Sequence, residues 1–247
     1  MQRKSWSREE QLLALHLYCC LPFGQLHQRN KEIVAVAEYI GRSPSAVAMK
    51  ACNFASLDPA LHRTGLGNVS ASDRVLWGEF MENSASVIEQ AEELYSKIGL
   101  LRAEQVSLQQ SSDTETIREV KVRLVQGFFR KAVLLSYENR CAISGLEIPE
   151  LLVASHIIPW SENKLRRADP TNGLALNALF DKAYDRGFIT IDKHYRVRLS
   201  SAIREIESRH KVSPDLFSIE GQKITLPKRF LPDPIALNWH MENVFQH

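Results

Sequence analysis

The sequence lacks the features that would direct it into or across a membrane. No apolar run approaches the ~20 residues that a membrane-spanning helix needs. The N-terminal stretch MQRKSWSREEQ has no apolar core of the kind found in secretory signals. The 247 residues include four cysteines, none of them in a Cys-x-x-Cys pair. We therefore expect reduced thiols, a cytoplasmic protein with no membrane partner, and no structural zinc.

The sequence also lacks a large excess of positive or negative charge, and it has no internal repeats. The formal net charge is +2, which is too small to indicate a nucleic-acid partner by itself, because the distribution of charge matters more. Hydrophobic residues make up 44% of the chain and charged residues 24%, as in ordinary globular proteins that hold one or two domains of this length. Composition therefore leaves the function to local motifs.

The most informative segment runs from Cys141 to Asp192. Four residues with catalytic or metal-binding chemistry follow one another along it: His156, Asn172, Asp181 and Asp185. Taken singly, each has an ordinary structural explanation, as a core histidine, an Asn-Gly turn or a solvated helix face. Their occurrence together, in one order and spacing, points to a site.

Four motifs in this segment carry a resemblance to a known family. Cys-Ala-Ile-Ser-Gly, Ser-His-Ile-Ile-Pro-Trp, Asn-Gly-Leu and Phe-Asp-Lys-Ala-Tyr-Asp-Arg-Gly occur in the order found in the HNH (ββα-metal) nucleases of the bacterial restriction type. The resemblance covers the chain from about residue 125 to its end. It implies a divalent-metal-dependent endonuclease that hydrolyses double-stranded DNA. It also implies restriction of foreign DNA, with dependence on base modification as in McrA-type enzymes.

The same resemblance implies the roles of His156 and Asn172. His156 matches the general base that deprotonates the attacking water, a role that suits an imidazole because unperturbed histidine titrates near pH ~6.5. Asn172 matches the family asparagine that holds the loop of the site and orients the histidine ring. An imidazole needs such a partner to fix its tautomer.

The metal ligands are the point at which this sequence departs from the family pattern. Many relatives carry a histidine where this chain has Asp181, and an acidic residue or histidine where it has Ser155. Asp181 and Asp185 are one helical turn apart, so both carboxylates share a face if residues 179–186 are helical. Two oxygen ligands suit Mg²⁺ or Mn²⁺ better than zinc. We predict one such cation per site, held by Asp181 and Asp185.

Residues 1–80 are predicted to form a separate helical module. Ser7-Arg8-Glu9-Glu10 is a capping box that opens a first helix, and residues 31–40 fit a second. Ser43-Pro44 begins a third helix that runs to about Phe54, because proline is favoured at the first helical position. Two helices joined by a glycine-containing turn indicate a helix-turn-helix.

The remaining segments complete an α+β fold with a helical N-terminal domain and a C-terminal ββα-metal nuclease domain. A helical linker is predicted for residues 81–124, with one helix over 87–109, a polar break at 109–113 and a second helix from Thr116 towards Tyr137. The nuclease domain follows over residues 125–247. We expect the protein to form a homodimer, and a long exposed helix in the linker would supply its interface.

Double-stranded DNA is the expected partner. Seven residues are predicted to contact it: Arg42, Ser45, Lys50, Arg130, Lys131, Lys182 and Arg186. Basic residues around an active site favour a polyanion, since phosphate contacts supply most sequence-independent affinity. For the helical module, plain packing remains the alternative. Two other functions also stay open, a homing or phage-associated nuclease and a non-catalytic DNA-binding protein with a degenerate site.

The C-terminal stretch over residues 221–245 is predicted as a strand followed by a proline-kinked segment that closes against the nuclease core. We interpret Trp239 as a packing residue. We leave His240 out of the site.

Overall fold

A computed structural model describes residues 5–61, 69–99, 114–209 and 217–246. The chain forms two compact units. The helical unit comprises residues 1–132 and 164–169, and the C-terminal unit comprises residues 133–163 and 170–247. No helix among the described residues is long and apolar enough to cross a membrane.

Within residues 5–61 and 69–99 of the helical unit, five α-helices follow one another. Their bounds are α1 Arg8–Cys20, α2 Lys31–Ile40, α3 Pro44–Ala55, α4 Ala71–Glu82 and α5 Ser84–Ile98. The predicted starts of the first three are confirmed: Ser7 forms the capping box with Glu10, and Ser43 caps α3 with proline at its first turn. Each cap satisfies backbone N–H groups that have no partner within the helix.

Helix α1 is the centre of the helical unit. Every residue from Glu10 to Cys20 is buried, and α1 packs against each of the other four helices. A helix that is surrounded in this way cannot have a single apolar face. Because α4 and α5 belong to the same bundle, residues 71–98 contribute to this unit rather than to a free-standing spacer.

A long helix, α6, covers Thr114–Ser136 and runs from the helical unit into the C-terminal unit. Its buried residues include Val125, Phe128 and Phe129. The predicted helix over 87–109 is shorter in the structure, since α5 ends at Ile98 with Gly99 in the left-handed conformation. Residues 100–109 and the predicted polar break at 109–113 lie outside the described residues.

The C-terminal unit contains two small antiparallel sheets with helices between and after them. Its elements are β1 Leu152–His156, β2 Gly173–Asn177, α7 Ala178–Asp185, β3 Ile189–Ile191, β4 Val197–Leu199, α8 Ser201–Arg209 and α9 Pro234–Asn243. Strand β1 pairs with β2, and β3 pairs with β4. Helix α7 follows β2 directly and packs against β1, β2 and β3, so two strands and a helix form one ββα arrangement.

The prediction for the C-terminal stretch was wrong in its main element. Residues 234–243 form the helix α9, and the only strand-like pairing of residues 217–246 is an isolated bridge between Lys223 and Arg196. The signal was present in the sequence: Asp233 caps the helix by accepting a hydrogen bond from the backbone of Ile235, and Pro234 occupies the first turn. An Asp-Pro pair is a helix start as well as a kink.

Candidate functional site

The predicted general base lies at the end of β1. His156 is the last residue of this strand and stands opposite Gly173 at the start of β2. Its ring is half-buried and meets the ring of Trp160 edge-on, with 5.6 Å between centroids. Antiparallel pairing therefore brings His156 beside the backbone that begins at Asn172, although sixteen residues separate the two in the sequence.

Asn172 fastens the loop that follows His156. Its side-chain amide donates to the backbone carbonyl of Ile158 (3.0 Å), and its side-chain oxygen accepts from the backbone N–H of the same residue (2.9 Å). Its backbone carbonyl accepts from Ile157 (2.9 Å). Both side-chain groups of this buried asparagine thus bind Ile158, and its backbone carbonyl binds Ile157, so Asn172 holds the two residues that follow His156.

The two predicted metal ligands share one face of α7. Asn177 caps the helix by accepting from the backbone N–H of Phe180 (2.9 Å), and the helix then carries Asp181 and Asp185 one turn apart. The helical geometry on which the ligand prediction depends is present. Cation binding by these carboxylates stays a prediction.

The electrostatics of the pair distinguish it from an ordinary solvated helix face. Burial raises the pKa of Asp181 above its usual range, against the opposing effects of Ser155 and Lys182. Burial also raises the pKa of Asp185, and the neighbouring charge of Asp181 raises it further. Because the charge of Asp181 disfavours the ionised form of Asp185, a cation between the two carboxylates would stabilise them.

Ser155 joins this cluster from β1. The residue is 2% exposed, and its hydroxyl makes no hydrogen bond of good geometry. It nevertheless lies close enough to Asp181 to affect the pKa of that carboxyl. The structure places Ser155 of β1 beside the carboxylate of Asp181 on α7.

The residues present fit a hard cation better than a zinc ion. Within residues 5–61, 69–99, 114–209 and 217–246 no group of three or more His, Cys, Asp or Glu side chains is arranged to hold a metal. The donors near Asp181 are oxygen atoms, and Mg²⁺ or Mn²⁺ can bind through one or two carboxylates while keeping several waters. A tetrahedral structural zinc would need four protein ligands.

Two of the predicted DNA-binding residues accompany the carboxylates on the helix. Lys182 and Arg186 are exposed, and Arg186 is the residue that ends α7. On α6 of the helical unit, Arg130 and Lys131 are also exposed. The ammonium of Lys131 approaches Glu32 at 3.9 Å, a weak surface pair.

Of the three remaining predicted DNA contacts, Lys50 and Arg42 bind carboxylates within the helical unit. Lys50 is 5% exposed, and its ammonium lies 2.9 Å from both carboxylate oxygens of Asp73. The guanidinium of Arg42 donates to Glu10 (2.7 Å) and stacks 4.1 Å from the ring centroid of Trp6. Ser45 is exposed. Lys50 and Arg42 would have to leave these carboxylates to reach a phosphate.

Cys141 and His240, to which the sequence analysis assigned no role in the site, contact the two ends of α7. The thiol of Cys141 accepts from the backbone N–H groups of Asn177 (3.3 Å) and Ser144 (3.4 Å). His240 of α9 contacts Tyr184 at the other end of the helix. Cys141 opens the first motif, but its acceptor role depends on the fold of the turn. The only sequence signal for the position of His240 was the helix start at Asp233, which places His240 on α9.

A comparison with known protein families matches the segment that forms this site. Residues 141–192 match the family model HNH_2, described as HNH endonuclease. No curated protein matches the chain. The matched segment begins at the Cys141 turn and ends just after β3, so it contains His156, Asn172 and both carboxylates of α7. Over residues 141–192 the chain is therefore similar to HNH endonucleases, which are DNA nucleases that generally use a divalent metal ion.

Proposed function

We propose that this protein is a divalent-metal-dependent endonuclease that hydrolyses phosphodiester bonds of double-stranded DNA. The observation that carries the proposal is the ββα arrangement of β1, β2 and α7. It presents a histidine at a strand end, an asparagine that fastens the adjoining loop, and two carboxylates on one helix face. These parts fit hydrolysis of a resistant anionic ester, which needs an activated water and stabilisation of the leaving oxygen.

His156 is the general base in this proposal. Its half-buried ring is accessible to a water molecule while Trp160 contacts one edge of it. Asn172 keeps the loop after His156 in place through its two bonds to Ile158, and so limits the positions that the ring can take. Positioning of this kind matters because a displacement of about 1 Å can cost about a hundredfold in rate.

Asp181 and Asp185 would hold the cation, with the hydroxyl of Ser155 beside them. When bound, a Mg²⁺ or Mn²⁺ ion supplies charge stabilisation for the leaving oxygen. Burial raises the pKa of both carboxyls, and the charge of Asp181 raises that of Asp185 further, so a bound cation would favour their ionised forms. Lys182 and Arg186, each next to one of these carboxylates in the sequence and exposed, would contact the DNA backbone at the cleaved bond.

The finer role that we propose is restriction of foreign DNA, with dependence on a base modification, acting as a homodimer so that both strands are cut. The helical unit would supply further DNA contacts. In that unit Ser45, Arg130 and Lys131 are exposed, whereas Arg42 and Lys50 are held by Glu10 and Asp73.

One observation favours a second candidate, a non-catalytic DNA-binding protein. Asp181 and Ser155 stand where many relatives carry histidine or acidic ligands, and the described residues offer no cluster of three ligands. A protein of this kind would bind DNA without cleaving it. A homing or phage-associated nuclease is a third possibility, and it differs from the first only in the DNA that is cut.

The test is cleavage of methylated and unmethylated plasmids with Mg²⁺, Mn²⁺ or chelator. His156→Ala should reduce the cleavage rate by about 10²–10⁴-fold, the usual contribution of a general base. His194→Ala is the matched control, because His194 is exposed in the turn between β3 and β4. Equal rates for wild type and His156→Ala would contradict the assigned base. DNA binding without cleavage of any substrate would favour the second candidate.

A further inference from the structure

Helix α7 cannot position its carboxylates alone. It contains eight residues, and helices this short are marginal unless tertiary contacts hold them. The positions of Asp181 and Asp185 therefore depend on whatever fixes the two ends of the helix. The first end is fixed from within the segment similar to HNH endonucleases, by the Asn177 cap and by the Cys141 thiol.

The second end is fixed from outside that segment. The His240 ring of α9 stacks on the ring of Tyr184, with centroids 3.7 Å apart and planes 15° apart. Its Nε2 contacts the backbone carbonyl of Tyr184 (3.2 Å), and its Nδ1 contacts the hydroxyl of Thr190 on β3 (2.9 Å). A carbonyl can only accept, so Nε2 carries the proton. In a neutral ring Nδ1 then accepts from Thr190.

The neutral form of this ring is the one expected at physiological pH. Burial lowers the pKa of His240 to about 4, against the opposing effect of its bond to Tyr184. The tautomer and the orientation of the ring are therefore set by one donor and one acceptor, as in a buried histidine with a structural task.

The residues after α9 bind the carbonyl groups at the end of α7. Gln246 donates through its side chain to the carbonyl of Arg186 (2.7 Å) and through its backbone to that of Gly187 (3.0 Å). Gly187 has a φ of +69°, and a Cβ at this position would overlap the backbone carbonyl of Val244. Only glycine allows the tail to pass this close.

We propose that residues 234–246 act as a positioning element for the metal-binding face of α7, with His240 as its central residue. Tyr184 lies three residues after Asp181 and immediately before Asp185. Holding its carbonyl and its ring therefore fixes the last helical turn, and with it the separation and direction of the two carboxylates. The inference rests on the proposed function. It assigns a role in the site to residues 234–246, which lie outside the matched residues 141–192.

The experiment compares full-length variants by direct Mn²⁺ titration, followed by electron paramagnetic resonance, and by the Mn²⁺ dependence of plasmid cleavage. His240→Ala should raise the Mn²⁺ dissociation constant about tenfold, the scale on which supporting residues act on metal sites. His240→Gln should restore part of this loss, because its amide can still donate to Tyr184. Glu242→Ala is the matched control, since Glu242 is exposed on the same helix and bonded only to Asn238.

Gln246→Ala and Thr190→Val keep the proposal testable if His240→Ala does not fold, and thermal denaturation monitors folding throughout. Both should weaken Mn²⁺ binding severalfold while cleavage at saturating Mn²⁺ changes less. Folded variants that bind Mn²⁺ as the wild type does would overturn the proposal. A wild type that binds no Mn²⁺ would overturn it together with the ligand assignment. A wild type that binds Mn²⁺ but cleaves no DNA would contradict only the proposed catalytic function.

Discussion

Asp73 of the helical unit and the carboxylate pair of α7 differ in how their negative charge is matched. In the helical unit Asp73 is fully buried, and burial alone would raise its pKa. Hydrogen bonds from Lys50 and Ser70 outweigh burial and lower the pKa instead. In the C-terminal unit the pKa of Asp181 and that of Asp185 are raised. A carboxylate that the protein has already matched to a cation supports the fold, whereas a pair without such a match is suited to bind a cation from solution.

Basic groups follow the same division. In the helical unit the His16 ring lies 2.9 Å from Glu92, and both are buried. Burial would lower the pKa of His16, but the adjacent Cys20 and Glu92 outweigh it and raise the pKa to about 10. On α7, in contrast, Lys182 and Arg186 are exposed. Charge inside the first unit is engaged in folding, and charge on α7 is accessible to a ligand.

The largest expected effect tests the folding side of this comparison. Lys50→Met leaves the carboxylate of Asp73 buried without its cation, so unfolding free energy should fall by about 3–5 kcal/mol. Lys97→Met is the control, because Lys97 is exposed and pairs only weakly with Glu93; it should stay within about 0.5 kcal/mol. Urea unfolding measures both.

The same variant decides whether Lys50 contacts DNA. A lysine that neutralises one phosphate changes the slope of log affinity against log salt by about one unit. We expect no change in this slope for folded Lys50→Met, because the ammonium binds Asp73 in the structure. A shallower slope would support Lys50 as a DNA contact and would contradict its assignment to folding alone.

The second prediction tests the ligand-binding side. Asp181→Asn combined with Asp185→Asn should weaken Mn²⁺ binding at least about 100-fold, since loss of a mere supporting residue already costs about 10–100-fold. Stability without metal should not fall, because the raised pKa of both carboxyls means that their ionised forms are disfavoured in the fold.

Isothermal titration with Mn²⁺ and urea unfolding in chelator would measure the two effects. Glu150→Gln, an exposed carboxylate in the short 3-10 turn before β1, is the control. Unchanged metal affinity in the double variant would mean that α7 does not hold the ion. A large loss of stability would place these carboxylates in the same class as Asp73.

Local signals in the sequence predicted much of the secondary structure. The capping residues Ser7 and Ser43 were recognisable because a helix start depends on a few neighbouring side chains. The spacing of Asp181 and Asp185 predicted their common face for the same reason. The helix α9 was missed because Asp233-Pro234 also fits a kink.

Long-range contacts were not predictable in this way. Lys50 is a basic residue on a predicted recognition helix, which suggested a DNA contact. Only the packing of α3 beside α4 shows that its partner is Asp73. The position of His240 next to Tyr184, 56 residues earlier, likewise depends on tertiary structure. Motif order located the candidate site, whereas burial and pairing, which decide what each charge does, required coordinates.

The third prediction concerns Asn172, whose bonds to Ile158 connect fold and site. Asn172→Ala leaves a buried N–H and a buried carbonyl of Ile158 without these partners, which should cost about 1–3 kcal/mol. Cleavage should fall in the folded protein as well, because the loop after His156 loses its attachment. Asn172→Asp keeps the acceptor but loses the donor to the Ile158 carbonyl.

Urea unfolding and single-turnover cleavage of the two Asn172 variants would separate these contributions. Asn172→Asp should be at least as destabilised as Asn172→Ala, since a buried carboxylate would face a carbonyl oxygen. An alanine variant with wild-type cleavage would show that Asn172 supports the fold only.

The smallest expected effect is a pH dependence specific to the pair of Lys50 and Asp73. The folded-state pKa of Asp73 lies below its unfolded value of about 3.9, so its contribution is present above that pH and is lost as pH falls through the folded pKa. The stability difference between wild type and Lys50→Met should therefore shrink between pH 6 and the acid limit of folding. Asp192, whose pKa is also lowered, is present in both proteins and cancels in the difference. The difference between wild type and Lys97→Met should stay flat over the same range. A constant difference for Lys50→Met would mean that Asp73 keeps its low pKa without the lysine, and that Ser70 and Gln11 alone stabilise its charge.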